Sequence, residues 1–159
     1  MKYIVYTDGS YKEFPGVGAF YSSAATIARE DGQHQTSFTK VGNDADILSM
    51  RNTAGEIIAV MMVMEHCLNV LKLTQDDEVV VNYDYKGIES WCLRKGHPDY
   101  WRCKTPVTQA YRDYINGIVR SRFKVTFNHV RSHTGVSGNE NVDALARKAM
   151  ARHVNTLVG

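Results

Sequence analysis

Sulfur has little to work with in this sequence. The three cysteines, Cys67, Cys92 and Cys103, form no C-x-x-C pair, and their odd number leaves one over in any bridging scheme. A disulfide framework and a thiolate metal site are therefore unsupported, and a reduced, cytoplasmic setting fits better. Long apolar stretches are missing as well. No run approaches the roughly 18 residues of a membrane span, and the opening MKYIVYTDGS is too briefly apolar for a secretory signal. A soluble protein with no membrane contact is expected. Prolines number only three, Pro15, Pro98 and Pro106, each near an expected loop or element start, and there is no repeat or low-complexity tract. One domain over residues 1–152 with a tail at 153–159 follows, since 43% hydrophobic content in 159 residues suffices for one core. A dominant charge is absent too. Nineteen Lys and Arg against 17 Asp and Glu leave a formal net charge of +2, which permits nucleic-acid contact without demanding it.

The pattern that is present reads as α/β. Residues 3–7 are aromatic and β-branched and stop at Asp8-Gly9, while 17–25 and 33–41 predict two further strands separated by Asp31-Gly32, an antiparallel opening. Residues 53–71 predict a helix apolar on nearly every side, from Ile57 through Met64. At 100° per residue Glu65 lies about 180° from Glu56, and Asn69 about 140° from it, which puts Glu56 on the enclosed face. Residues 78–83, with Val79, Val80 and Val81, predict an interior strand covered on both faces. Helices are expected at 85–93 and 106–121, a strand at 123–130, and an amphipathic helix at 140–152 with Val142, Leu145, Ala146, Ala149 and Met150 in one stripe. The order is βββαβααβα.

Four carboxylates are poorly placed for residues that only solubilise: Asp8 at the first strand's end, Glu56 on the buried helix, Asp84 at another strand end and Asp143 beside the core stripe. Burying unpaired carboxylates costs several kcal/mol each, and clustered ones repel, so a divalent cation is the economical counter-charge if they converge. Oxygen-only ligands favour Mg²⁺ or Mn²⁺ over zinc. Singly, each acid has a plainer explanation. Asp8-Gly9 reads as a turn, Glu56 as an early-helix acid favoured by the dipole, Asp84 as an N-cap and Asp143 as a partner for Arg147.

The local contexts of these acids, YTDGSY at 6–11, RNTAGE at 51–56, NYDYKGIESW at 82–91 and HVRSHTGVSGNENVDALARKA at 129–149, together resemble type 1 ribonuclease H. The similarity spans residues 3 to about 152. NTAGE and YDYKGIESW look most like the branch in which some members also carry a viroplasmin-like hybrid-binding domain, of which this chain would be the catalytic domain alone. The resemblance implies a ribonuclease H-like fold, a five-stranded mixed sheet flanked by helices. It maps Asp8, Glu56, Asp84 and Asp143 onto the metal-binding acids, and His133, ten residues before the last acid, onto the mobile loop histidine that assists proton transfer or product release.

The activity implied is two-metal hydrolysis of the RNA strand of an RNA/DNA hybrid, with two Mg²⁺ ions or Mn²⁺ in their place, leaving 5′-phosphate and 3′-hydroxyl ends. Recognition would rest on shape and 2′-hydroxyls in a wide minor groove. The resemblance puts Gly9, Ser10, Asn52 and Thr53 there, although all four equally suit turn and cap roles. Lys86 and the basic, aromatic stretch at 92–104 either follow the DNA backbone or form a solvated loop. His129 is expected to be structural, and 42–50 is a segment without an assigned role. A monomer is expected. Two other readings stay open, a non-catalytic hybrid-binding module and a DNA-directed nuclease or junction resolvase on a similar fold.

Overall fold

The structure, a computed structural model, describes residues 1–131 and 137–158. Among these residues the strands form one five-stranded sheet in the order β3-β2-β1-β4-β5. Strands β1 (Lys2–Phe14), β2 (Gly18–Arg29) and β3 (Thr36–Gly42) are antiparallel, whereas β4 (Glu78–Tyr83) and β5 (Lys124–His129) run parallel to β1. The expected mixed sheet and its antiparallel opening are thus both present. β4 is interior, as its valine run predicts, with parallel neighbours on either side.

Strand alternation divides the core between two faces. Tyr3, Val5, Ala25 and Ile27 meet α2 (Asn52–Asn69), which buries Ile57, Val60, Val63, Met64 and Cys67 against them. Each such fully buried Val or Ile side chain contributes about 1.5–3 kcal/mol relative to exposure. Tyr6 and Ala24 face the other way, onto Val142 and Ala146 of α6 (Ser137–Val158). Farther along α6, Met150 and Val154 pack on Phe20.

Several boundaries differ from expectation, three of them near the acids or at an element's end. Asp8-Gly9 is no turn, for β1 continues in register with β2 to Phe14, and the chain reverses between Phe14 and Gly18. α6 does not stop at Arg152. Val154 extends the buried series Val142, Ala146, Met150 by one more turn, so 153–158 are helical rather than a tail. The helix expected at 85–93 is only the single turn α3 (Gly87–Ser90), because the Trp91, Cys92 and Leu93 carbonyls accept from the Arg112 and Asn116 side chains instead of continuing it.

The second helix before β5 is α4 (Pro106–Asp113), a π-helical stretch at Tyr114–Val119, and α5 (Arg120–Arg122). Thr105 caps α4 reciprocally with Thr108. Residues 42–50 hold the short α1 (Ala45–Leu48), and Met50 packs against the main core. No described helix is long and apolar enough to cross a membrane.

Candidate metal centre

Register brings the first two acids together. Tyr6 of β1 pairs with Asn82 of β4, and β4 ends one residue later, so Asp8 lies level with Asp84 in the space that β4 has vacated. Below them the strands are tied by side chains: Asn128 Nδ2 donates to Asn82 Oδ1 at 2.7 Å and Asn82 Nδ2 to the Val5 carbonyl at 3.0 Å. Neither asparagine stands out in the sequence.

Glu56 arrives by a backbone contact. A Cβ on Gly9 would collide with the backbone of Gly55 and Glu56, and one on Gly55 with the Ser22 carbonyl and Gly9. Two glycines therefore let α2 rest directly on β1, the close approach that glycine inside a strand permits. Ser23 Oγ donates to the Gly55 carbonyl at 2.7 Å and fixes the contact. The Gly9 amide donates to Asp8 Oδ1 at 2.9 Å and to Glu56 Oε1 at 3.2 Å.

Asp8, Glu56 and Asp84 consequently offer carboxylate oxygens that all lie within 4.8 Å of one another. Asp8 and Glu56 are only 6% and 5% exposed, and Glu56 Oε2 is buried with no hydrogen-bond partner among the described residues. Burial first, and the Asp84 charge second, push the Asp8 carboxyl up to about 7. The same two causes, joined by Asp8, raise Glu56 well above the ordinary carboxylate range. Such a group of oxygens, short of hydrogen-bond donors and strained by like charge, fits a hard divalent cation.

Asp143 lines the same cleft of about 400 Å³, with Gly9, Ser10, Tyr11, Tyr85, Asn139 and Glu140. It stands outside the tight group of three. Its Oδ2 accepts from Arg147 Nε at 3.2 Å, the i,i+4 partner anticipated from sequence, while its carboxyl also contributes to raising Asp8.

The other candidates divide. Ser10 lies in the cleft, but its hydroxyl shares a 2.8 Å hydrogen bond with Ser22, whose own proton goes to the Ala146 carbonyl at 2.9 Å, linking β1 and β2 to α6. Asn52 and Thr53 open α2, after Arg51, whose φ of 54° is a conformation rarely taken by residues with a side chain. Lys86 is not in the cleft. It lines a neighbouring cavity with Tyr83, Glu89, His97, Asp99 and His129, and its Nζ lies 3.8 Å from Asp99 Oδ1. In the 92–104 stretch Trp101 packs edge-on against Trp91, which is 7% exposed, whereas Arg94, Lys95, Arg102 and Lys104 are exposed. Trp91 belongs to the core, and the partly buried Trp101 packs against it. His133 lies outside the described residues. Cys67, Cys92 and Cys103 are buried and unbridged.

A model of the RNase H family matches residues 1–151. The ribonuclease H of Ehrlichia chaffeensis is 30% identical over 153 residues, covering 95% of this chain and 96% of its own. Two solved structures share the fold. The N-terminal RNase H domain of a Mycobacterium tuberculosis protein superposes with a TM-score of 0.71 at 16% identity, covering 98% of both chains. LC11-RNase H1, from a compost metagenome and solved with an RNA/DNA hybrid, gives 0.63 at 22% identity, covering 93% of this chain and 99% of that one. With its acids meeting at one end of this sheet, the chain belongs to the ribonuclease H family of hydrolases.

Proposed function

We propose that the chain cleaves the RNA strand of RNA/DNA hybrids endonucleolytically, leaving 5′-phosphate and 3′-hydroxyl ends, with Asp8, Glu56, Asp84 and Asp143 as ligands of two Mg²⁺ ions or of Mn²⁺. The observation that carries this reading is the meeting of three carboxylates, one with an unpartnered buried oxygen, in the cleft of a ribonuclease H family member. When bound, divalent cations supply positive charge opposite a phosphodiester and lower the pKa of water. The chain does the positioning. The Gly9 amide orients Asp8 and Glu56, and the glycine contact keeps α2 from drifting off β1. Water attacking phosphorus in line with the departing 3′ oxygen gives the proposed ends.

The substrate is read through the minor groove, where RNA displays 2′-hydroxyls. Gly9 and Ser10 on the cleft floor and Asn52 and Thr53 at the start of α2 are the proposed contacts, with Lys86 near the DNA strand. The hybrid bound to LC11-RNase H1 supports this substrate class. His133 is proposed to move a proton or speed product departure, on the strength of its spacing from Asp143. Three buried free thiols suit action in the cytoplasm, and the chain is taken to act as a monomer.

The test is cleavage in Mg²⁺ of one sequence presented as hybrid, double-stranded DNA and double-stranded RNA. Product from the hybrid alone is expected. Equal cleavage of double-stranded DNA would move the assignment to a resolvase-like nuclease, and binding without cleavage to a hybrid-binding module.

A further inference from the structure

One feature beside the cleft has no counterpart among the acids. His129, the last residue of β5, pairs in register with Tyr83, the last of β4, and its ring reaches past that strand end to the next residue: Nε2 lies 2.7 Å from the Asp84 carbonyl oxygen. A carbonyl can only accept, so Nε2 carries the proton and donates. The ring is held from below. It stacks on Tyr83 with centroids 5.2 Å apart and planes 29° from parallel, Tyr83 is 2% exposed, and the Tyr83 hydroxyl donates to Glu89 Oε1 of α3 at 2.7 Å. The Val130 amide adds a 2.7 Å hydrogen bond to the Tyr83 carbonyl. Each of the two successive carbonyls at the end of β4 is thus gripped from β5.

We propose that His129 is a positioning residue for the acid cluster, acting through the peptide of Asp84. β4 ends at Tyr83, so Asp84 is the first residue beyond the strand. The plane of the Asp84 carbonyl sets ψ at that residue, and fixing it fixes the direction in which the Asp84 side chain leaves the backbone toward Asp8 and Glu56. His129 supplies a hydrogen bond to that carbonyl, and the stack on Tyr83 supplies its aim. The role is distinct from a structural histidine that merely fills space, because the ring is exposed and little core depends on it.

This inference rests on Asp84 being a metal ligand, and two substitutions separate its parts. His129→Phe keeps a ring to stack on Tyr83 and removes the donor. His129→Gln keeps an amide donor of similar reach and removes the stack. For both, the Mg²⁺ concentration giving half-maximal cleavage of a hybrid is measured, and so is the midpoint of the Mg²⁺-induced rise in melting temperature, which needs no turnover.

The expected result is a shift of both midpoints by about 3- to 10-fold to higher Mg²⁺ in the Phe variant, the reach of one exposed hydrogen bond to an ordering group. Its turnover at saturating Mg²⁺ stays within about two-fold of wild type, as expected when ligand orientation and not chemistry is affected. The Gln variant keeps a donor but loses the stack that aims it, so its midpoints shift by less than those of the Phe variant. Wild-type midpoints in the Phe variant, or an equal shift in the Gln variant, would overturn the proposal. Asp84→Asn in parallel keeps the underlying reading separate: if it leaves the Mg²⁺ midpoint unmoved, the ligand assignment fails whatever His129 does.

Discussion

Asp8 and Asp31 are the same side chain in opposite circumstances. Asp31, in the turn between β2 and β3, accepts three hydrogen bonds from Arg29 and one from the Gln33 amide, which hold its carboxyl down to about 2. Asp8, in the middle of β1, is enclosed beside two other carboxylates and sits at about 7. The surface turn is satisfied by its own neighbours, and the cleft is not. Like charges crowded in the cleft, beside an exposed Asp that is fully paired, mark the cleft as the functional-site candidate and fit the divalent cation proposed for it.

The contrast can be broken most severely at the cleft. Asp8→Asn or Asp84→Asn preserves shape and removes a ligand charge, so hybrid cleavage in Mg²⁺ should fall by roughly 1,000-fold or more while the metal-free melting temperature holds or rises. A melting temperature that drops would instead mark the Asp as structural. Gly55→Ala attacks the seat rather than the ligand. The added methyl must push α2 off β1, which should cost about 1–3 kcal/mol of stability and lower cleavage with it, both readable in one denaturation and assay series.

The pH dependence sharpens the comparison. In the metal-free protein folded Asp8 keeps its proton to about 7 while the unfolded side chain releases it near 3.8, so the folded state binds more protons across that window and stability declines as pH rises through it. A fall in melting temperature of about 5 °C between pH 4 and 7 is expected, flattened by Asp8→Asn or by saturating Mg²⁺. Asp31 carries the opposite sign. Its lowered carboxyl favours the fold above about pH 4 and loses that contribution as pH drops toward 2. Being exposed it is screened, so Asp31→Asn should move the melting temperature by only about 1 °C at pH 7.

Much of the site could be read from the sequence, for different reasons at different residues. Glu56 was legible from helical phase alone, since a buried helix leaves an acid on its enclosed face conspicuous. Asp84 was legible as the residue after a valine-rich interior strand. Asp8 was seen but misplaced, because Asp-Gly is a strong turn signal and only a tertiary contact, α2 resting on Gly9, explains a glycine in mid-strand. The Asn82–Asn128 tie and the His129 reach were not legible, because both depend on β4–β5 register, which no local pattern encodes. At 92–104 the sequence leaves two readings open, contact with the DNA backbone or a solvated loop, and the structure packs Trp101 against the core while Arg94, Lys95, Arg102 and Lys104 face solvent.

The fourth acid rides on a different part of the machine. Asp8, Glu56 and Asp84 are held by contacts between one sheet and one helix, whereas Asp143 sits near the start of a 22-residue helix seated at two places, by Val142 and Ala146 on Tyr6 and Ala24 and farther along by Met150 and Val154 on Phe20. The position of Asp143 therefore follows how α6 as a whole seats on β1 and β2, through Val142 and Ala146 beside it and through Met150 farther along. Shaving the far seat, as in Met150→Ala, would then be felt at the cleft as a shift of one proposed ligand out of four, a defect born about 10 Å along the helix from Asp143.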